Sequence, residues 1–210
     1  MTNDTTVRIP QQARSIDKRN RLVDAAMDLF GQKGFQGTTA REIANAAGVS
    51  VGTFYAYFTD KKAMLIEIFT QHMANVDHSV FTELKSLSAG KTTGRELMRC
   101  VVELGHISHK QSPELLRVLL AMRYTDEDFA QLSERQDNEL VAKLTRFLET
   151  LRSHLRVDDL EAAARIVSNA FEETMHSVAV TGQAIGRERL YDALVDMTAV
   201  YLFQNPDAPL

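Results

Sequence analysis

Four aromatic side chains are concentrated in one short stretch of the chain, Gly48–Phe58, which is separated by two residues from a pair of lysines. Phe54 and Phe58 lie four positions apart, so in a helix they share one face, which we expect to join the core. Tyr55 and Tyr57 lie off that face, and each combines an apolar ring with a hydroxyl group. Such side chains can pack on a sugar and donate a hydrogen bond to a phosphate. The stretch therefore predicts a surface that binds a phosphate-bearing polymer.

The two lysines, Lys61 and Lys62, indicate the same chemistry. They stand at the expected start of another helix, where positive charges oppose the helix dipole at a cost of roughly 0.3–1 kcal/mol each. A phosphate nearby would reverse this effect, because it attracts both the lysines and the exposed backbone N–H groups. We therefore expect Lys61 to contact a phosphate, while Lys62 equally fits a solvated position.

A second pattern could instead bind metal ions. Glu103 and His106 form one Glu-x-x-His motif, and Glu173 and His176 form another on a different predicted helix. Helical-bundle di-metal proteins use such a pair of motifs together with a glutamate from each of two further helices. A di-metal carboxylate protein or enzyme is therefore the alternative hypothesis, although it leaves the aromatic stretch unexplained. The sequence has no Gly-rich phosphate loop, no nucleophile with its base and no zinc-type cysteine pair, so the main hypothesis is a non-enzyme without metal or cofactor.

The elements that must position the tyrosines form a helix-turn-helix. Thr39 and Glu42 have the spacing of a capping box at the start of one short helix, and Gly48 is placed to end it. Ser50 is placed to cap the next helix, which ends at Phe58. Two short helices joined by a turn with a glycine are typical of this motif, whose second helix enters the major groove of DNA. The polymer is therefore expected to be double-stranded DNA.

Two small residues inside the second helix of this motif fit that expectation. Gly52 weakens a short helix by roughly 1 kcal/mol relative to alanine, but its missing side chain would let the backbone approach the DNA. Ala56 presents a methyl group that suits contact with the methyl group of thymine.

Further along the chain, helix signals follow one another without a convincing strand pattern. Asp60 is predicted to cap a fourth helix of about 25 residues and about 40 Å. Pro113, after the cap residue Ser112, begins a sixth helix, and Asp126 caps a seventh. Asp158 and Glu161 have the spacing of a second capping box at the start of the eighth. The sequence therefore predicts an all-α fold of about nine helices.

The predicted organisation has three parts: a mobile N-terminal arm over residues 1–14, a helix-turn-helix DNA-binding domain over residues 15–62, and a larger helical domain over residues 63–210. The charge differs along the chain. Residues 1–62 contain nine Lys and Arg against six Asp and Glu, whereas residues 63–210 contain fifteen against twenty-two. Only the N-terminal part is therefore expected to meet a polyanion.

Composition favours the cytoplasm. The 210 residues are 44% hydrophobic and 25% charged, which is ordinary for a globular protein. No apolar run approaches the roughly 18–20 residues that a membrane helix needs, and the N-terminus lacks the apolar core of a secretion signal. Cys100 is the single cysteine, which fits a reducing compartment. We therefore expect a cytoplasmic protein with no membrane partner.

The N-terminal part resembles the DNA-binding domain of the TetR (tetracycline repressor) family of transcriptional regulators, over the segment RLVDAAMDLFGQKGFQGTTAREIANAAGVSVGTFYAYFTDKKAML. Within it, the run G-V-S-x-G-T-F-Y-x-Y-F-x-x-K is highly specific to that family. Residues 66–210 match only in helix count and length. The resemblance implies a ligand-responsive regulator, namely a repressor that a small-molecule effector releases from its operator. A regulator that senses a protein partner instead is a third hypothesis.

The resemblance also implies which residues touch DNA. Thr39 matches a phosphate contact, and Arg41 matches a position that can reach a base edge. Val51 and Ala56 occupy base-facing positions that often carry larger or polar side chains in relatives, which leaves Arg41 as the best candidate for reading a guanine. The full set of expected DNA-binding residues is Thr39, Arg41, Ser50, Val51, Gly52, Thr53, Tyr55, Ala56, Tyr57 and Lys61.

For residues 63–210, the resemblance implies a ligand-binding and dimerisation domain. The expected partner is a palindromic operator, because a homodimer places two recognition helices on half-sites about 34–36 Å apart. Soft side chains are candidates for lining the effector site: Met73, Met98, Cys100, Met122, Phe171 and Met175. Polar candidates are Arg117, Arg123, His106, His109 and His176. Apolar stripes on the last two helices either face the monomer core or form the dimer interface: Leu160, Ala163, Val167, Leu190, Leu194, Met197 and Tyr201.

Overall fold

A computed structural model of the protein describes residues 13–88, 91–110, 113–181 and 185–210. Over these ranges the all-α prediction is confirmed, since the chain forms helices and no β-strand. The described residues form nine α-helices, with a 3-10 turn at Arg152–His154 and a π-helical turn at Ser177–Thr181: α1 (Ala13–Lys33), α2 (Ala40–Ala46), α3 (Val51–Tyr57), α4 (Lys61–Ser88), α5 (Gly94–Lys110), α6 (Pro113–Thr125), α7 (Glu127–Thr150), α8 (Leu160–His176) and α9 (Arg187–Leu202). Most of the expected N-terminal arm, residues 1–12, and the expected cap Ser112 lie outside the described residues.

Side-chain caps begin α2, α3, α4 and α7 at the predicted residues. The Asp60 carboxylate accepts a hydrogen bond from the Ala63 N–H at 2.8 Å. Asp126 accepts from the Phe129 N–H at 3.0 Å, and Pro113 is the first residue of α6. These contacts satisfy backbone donors that a helix start leaves without a partner.

The predicted capping box of α8 is wrong by one residue. The cap is Asp159, whose carboxylate accepts from the Ala162 N–H at 3.0 Å. Two adjacent aspartates give the same local signal, and only the packing of α8 decides between them. Glu161 then lies in the first turn, where its charge favours the helix dipole without closing a box.

The chain divides into two compact units. One contains the residues up to His72 together with Glu114–Met122, and the other contains Met73–Pro113 with Arg123–Leu210. Helices α4 and α6 contribute residues to both. Since α4 begins at Lys61 and continues through this division, the domain boundary after residue 62 stays a prediction.

The core of the first unit forms where α1 packs on the helix-turn-helix. Helix α1 contributes the fully buried residues Leu22, Ala26 and Phe30, which follow the spacing of one helical face. Phe54 and Phe58 are buried, with ring centroids 5.8 Å apart, which confirms that this face of α3 joins the core.

The second unit has its own apolar core, to which α4, α5, α7, α8 and α9 all contribute. The chain after α9 folds back along the start of α5: the Arg95 N–H donates to the Pro206 carbonyl at 2.9 Å, and the Leu210 N–H donates to the Thr92 carbonyl at 3.0 Å. Phe203 lies so close to Gly94 that a Cβ atom there would be 2.5 Å from its ring. Among the described residues, none of the helices has the length and apolar character needed to cross a bilayer.

Candidate nucleic-acid interface

The helix-turn-helix begins with the predicted capping box. The Glu42 N–H donates to Thr39 Oγ1 at 3.2 Å, and the Thr39 N–H donates to Glu42 Oε2 at 2.9 Å. The Lys33 ammonium adds a contact of 2.8 Å to Glu42 Oε1. Lys33 and the bonds from Thr39 together lower the pKa of Glu42 to about 2, so its carboxylate stays ionised and the start of α2 is held in place at neutral pH.

The turn between α2 and α3 forms as the sequence predicts. Gly48 adopts a φ of 65°, a left-handed conformation that glycine tolerates without a steric penalty. Ser50 Oγ then accepts from the Thr53 N–H at 3.1 Å and caps α3. These two devices fix the direction in which α3 leaves the turn.

The outer face of α3 carries most of the expected DNA-binding residues. Tyr55 is 50% exposed and packs edge-on against Phe54, with ring centroids 5.3 Å apart. Gly52 and Ala56 are exposed on the same short helix, and Arg41 is exposed on α2. Four further members are exposed or half-buried: Thr39, Ser50, Val51 and Thr53. The structure thus brings these side chains together on α2 and α3, and their contact with DNA stays a prediction.

Tyr57 does not lie on that outer face, so this part of the sequence interpretation is wrong. Its side chain is only 8% exposed, and its hydroxyl forms a hydrogen bond of 2.7 Å with Ser15 Oγ on α1. The periodicity of seven residues could not reveal this contact, because Ser15 lies 42 positions away. Tyr57 joins α3 to α1 inside the first unit.

Lys61 also has a different environment from the expected one. Its ammonium group donates to the Phe35 carbonyl at 2.7 Å and to the Thr38 carbonyl at 2.9 Å, and lies 4.4 Å from the centre of the Phe35 ring. The charge is therefore directed at the corner between α1 and α2, where carbonyl groups compensate it. The phosphate that the sequence argument invoked is not needed to explain a lysine at this helix start.

The expected effector-site residues are distributed over both units. Met98, Phe171 and Met175 are buried in the core of the second unit, whereas Met122 belongs to the first. The list also includes Met73 and Cys100, which are half-buried. Burial and the negative charges of Glu83 and Glu103 raise the pKa of the Cys100 thiol. The contact of the six expected residues with an effector stays a prediction.

A polar cluster lies at the edge of this second core. The Arg123 guanidinium donates to Asp137 at 2.5 Å and lies 4.0 Å from Glu172. Burial and the charge of Asp137 raise the pKa of Glu172 to about 7. The rings of His109 and His176 lie 5.2 Å apart, and burial is the main cause that lowers the pKa of each. Sequence reasoning found the histidines and Arg123 but missed Glu172 and Asp137, which carry no motif.

The alternative of a di-metal site finds no support. The two ring nitrogens of His106 face other side chains, with Tyr191 Oη at 3.0 Å and an Arg187 nitrogen at 3.3 Å. Within the ranges that the structure describes, no group of three or more His, Cys, Asp and Glu side chains converges as metal ligands would. The Glu-x-x-His spacing therefore arises on helices that do not assemble it into such a site.

The fold divides the expected dimer stripes. Leu160, Ala163 and Leu194 are buried in the core of their own chain, so the expectation that they contact a partner is wrong. Of the others, Val167 packs against that core and Leu190 is half-buried. Met197 and Tyr201 remain exposed, at 54% and 39%. An apolar stripe on a helix can face inward or outward, and the sequence did not distinguish the two faces.

Two family models match the chain. Residues 22–68 match the model for bacterial regulatory proteins of the tetR family, and residues 95–202 match a tetracyclin repressor-like C-terminal domain. The two models cover both units described above. The chain therefore belongs to the TetR family of bacterial regulatory proteins.

Individual relatives agree with this assignment. The fatty acid metabolism regulator protein of Bacillus subtilis is 29% identical over 143 residues, which cover 68% of this chain and 64% of that protein. A TetR-family regulator from Mesorhizobium loti superposes with a TM-score of 0.74 at 22% identity, covering 91% of this chain and all of the other. FadR of Thermus thermophilus, solved in complex with lauroyl-CoA, gives a TM-score of 0.63 at 26% identity, covering 91% and 99% of the two chains.

Proposed function

We propose that this protein is a ligand-responsive transcriptional repressor that binds a palindromic DNA operator as a homodimer in the cytoplasm. The observation that carries the proposal is the exposed outer face of α3, which presents Gly52, Tyr55 and Ala56 from a capped helix-turn-helix. A recognition helix of this kind enters the major groove, where bases are read and phosphates fix the register.

The second copy of the chain is expected on the outer faces of α8 and α9. Their exposed apolar residues are Ile166, Met197, Val200 and Tyr201. Scattered single apolar residues on a surface need no explanation, but a contiguous patch marks an interaction site. Since three of these four follow the i, i+3, i+4 spacing on α9, they lie on one face of that helix.

The effector is expected to be an acyl-CoA thioester. One relative is named a fatty acid metabolism regulator protein, and another, FadR of Thermus thermophilus, is solved with lauroyl-CoA. The second unit offers a soft apolar core next to a polar cluster, with Met175 and His176 adjacent at the junction. Methionine adapts to flexible apolar chains, and the neighbouring arginine and imidazoles can bind the polar end.

Release follows from a shift between two conformations. The effector favours a conformation in which α4, a single helix that contributes to both units, holds the two helix-turn-helix motifs at a spacing that no longer matches successive major grooves. A preference of about 2.7 kcal/mol for that conformation weakens operator binding about a hundredfold.

The proposal is tested by selecting a binding sequence from a library of random duplexes and measuring its affinity by fluorescence anisotropy. We expect a palindromic selected site, tighter binding than to an unrelated duplex, and weaker binding when lauroyl-CoA is added. Lauric acid and free coenzyme A serve as controls for the two halves of the ligand. Failure to enrich any sequence would refute the DNA-binding function, and enrichment without an effect of acyl-CoA would refute the effector class alone.

Arg41→Ala refines the same experiment. Arg41 is exposed on α2, and a bidentate contact from arginine to guanine contributes about 1–3 kcal/mol of discrimination. The variant should therefore bind the selected site less tightly while binding the unrelated duplex nearly as well as the wild type. An equal loss on both duplexes would show that Arg41 contacts phosphate instead of a base.

A further inference from the structure

Helix α1 presents a basic stripe that the helix-turn-helix account leaves unused. Arg14, Lys18 and Arg21 follow the i, i+4, i+7 spacing of one helical face, and all three are exposed. The neighbouring face of α1 carries Leu22, which is fully buried in the core of the first unit. The stripe is therefore held in a fixed orientation by the packing of the same helix.

Three contacts attach this half of α1 to the helix-turn-helix. Ser15 bonds to the Tyr57 hydroxyl at 2.7 Å, at the end of α3. The Arg19 guanidinium lies 5.5 Å from the centre of the Phe58 ring. A Cβ atom on Gly48 would lie 3.7 Å from an Arg21 nitrogen, so the tip of Arg21 reaches the turn between α2 and α3. The first two contacts hold α1 against the inner side of α3, and the third places the tip of Arg21 beside the exposed turn that leads into the recognition helix.

Three other cationic side chains of the first unit already have partners within the protein. Arg19 forms an ion pair with Glu67, and Lys33 forms one with Glu42. Lys61 is directed at two carbonyl groups, as described above. Carboxylates therefore compensate the charges of Arg19 and Lys33, and carbonyl groups hold the Lys61 ammonium, so the stripe on α1 offers additional positive charge for the phosphates of DNA.

The acidic residues of α1 do not cancel the stripe. Asp17 lies 3.3 Å from Arg21 and compensates that charge in part, but it is the single acidic residue among residues 14–21, which include four Lys and Arg. Asp24 and Asp28 belong to the following half of the helix. The half of α1 that touches α3 is therefore the basic half.

We propose that Arg14, Lys18 and Arg21 form a second DNA-binding surface, which contacts the sugar–phosphate backbone beside the groove that α3 enters. The proposal rests on the DNA-binding function proposed above. Its ligand is the phosphate backbone of a duplex, because the exposed positive charge is complementary to it and the surface continues that of the helix-turn-helix. Such contacts fix the register of a protein on DNA and carry no sequence information of their own.

Lys18→Gln and the double variant Arg14→Gln/Lys18→Gln test the proposal, with Arg135→Gln as a matched control. Arg135 is exposed on α7 in the second unit, so the control removes one charge far from α1 in sequence. Affinity for the selected operator and for an unrelated duplex is measured over a range of salt concentrations. Because a homodimer carries two copies of each substituted residue, the plot of log affinity against log salt should become shallower by about 1.8 for Lys18→Gln and by about 3.6 for the double variant.

Both duplexes should lose affinity by the same factor, because a backbone contact does not read sequence. A slope equal to that of Arg135→Gln would overturn the proposal while leaving the DNA-binding function intact. A loss confined to the operator would also overturn it, since that pattern indicates a base contact. Wild-type protein that binds neither duplex would reject both this surface and the proposed function. Thermal unfolding of each variant checks that the exposed substitutions leave the fold unchanged.

Discussion

At the scale of single residues, Lys61 shows how a cation can hold the start of a helix through contacts within the protein. Its ammonium group holds two carbonyls of the corner that precedes Thr39, the cap of α2. Thr38 at the same corner is fully buried, and its hydroxyl donates to the Gly34 carbonyl at 2.9 Å. A lysine in this environment positions the start of α2 and thereby the residues on its exposed face.

Lys61→Met should therefore weaken DNA binding through the loss of this positioning. We expect lower operator affinity with a salt slope close to that of the wild type, and a loss of stability of about 1–3 kcal/mol because two carbonyls lose a charged donor. Salt-dependent anisotropy and chemical unfolding measure the two effects. A slope that falls by about two units, as expected for a Lys18→Gln homodimer, would show instead that Lys61 contacts a phosphate.

Glu172 and His176 should give the stability of the second unit opposite dependences on pH. The folded-state pKa of Glu172 is raised from 4.5 to about 7, so the unfolded chain loses this proton first and stability falls as pH rises through that window. The folded-state pKa of His176 is lowered from 6.5 to about 4, so the unfolded chain gains this proton first and stability falls as pH decreases through that window. The two effects oppose each other where the windows overlap.

Replacing one member at a time separates these effects. Glu172→Gln should lose less stability than the wild type between about pH 5 and about pH 8, with a difference on the order of 1 kcal/mol because the side chain is 30% exposed. His176→Gln should lose less stability on acidification. Urea unfolding at about pH 5 and about pH 8 measures the stability of the wild type and of each variant. Identical pH profiles for wild type and Glu172→Gln would show that Glu172 ionises normally in the folded protein.

At the scale of elements, the start of α5 depends on the chain that follows α9. Gly94 is buried, and a Cβ atom there would lie 2.5 Å from the Phe203 ring. Arg95 adds an ion pair of 2.6 Å with Asp207 and another with Asp196. The backbone contacts near residues 92–95 and 206–210 complete this junction. The first turn of α5 thus depends on residues more than 100 positions later in the sequence.

Gly94→Ala should consequently destabilise the protein, whereas Gly105→Ala on the same helix should not. Overpacking against a buried ring costs about 1–3 kcal/mol. At Gly105 the nearest atoms, from Met175, would lie 3.5 Å from the new Cβ, an ordinary contact distance, and alanine improves helix propensity by about 1 kcal/mol. Chemical unfolding of the pair compares them, and equal stability of the two variants would contradict the close packing of Phe203 on Gly94.

Local signals predicted the helix-turn-helix well because its determinants lie within a few residues of one another. The Thr39–Glu42 box, the left-handed Gly48 and the Ser50 cap are all short-range contacts that sequence spacing can reveal. The contacts of Tyr57 and Lys61 within the protein could not be predicted, because their partners, Ser15 and Phe35, lie far away in the sequence. A helical period identifies a face, but tertiary contacts decide what that face meets.

The same limit explains the stripes of α8 and α9. Leu160, Ala163 and Leu194 show the spacing of an interface, yet they fill the core of their own chain. The polar cluster around Glu172 was equally beyond sequence reasoning, because α6, α7 and α8 each contribute one charged side chain to it. Family resemblance predicted the class of the protein correctly, and the coordinates were needed to separate inward from outward residues.

At the scale of the whole molecule, the proposed recognition of a palindromic operator by one short α3 calls for a second copy of the chain. A single recognition helix of seven residues makes few contacts, and a palindromic operator offers each copy one half-site. The exposed apolar residues of α8 and α9 are the surface that this second copy would bury. Burial of a Met side chain contributes roughly 1.5–3 kcal/mol, so a charge in its place should disrupt the dimer.

Met197→Asp is the variant that tests this assembly, with Ala142→Asp as a control. Met197 is 54% exposed on α9, and Ala142 is exposed on α7, so neither substitution opens the core. Light scattering after gel filtration should show a dimer for wild type and control and a monomer for Met197→Asp. The monomer should also bind the palindromic site much more weakly, yet bind an isolated half-site as the wild-type subunit does. A Met197→Asp protein that remains dimeric would place the interface elsewhere on the chain and would leave the α8–α9 face without this role.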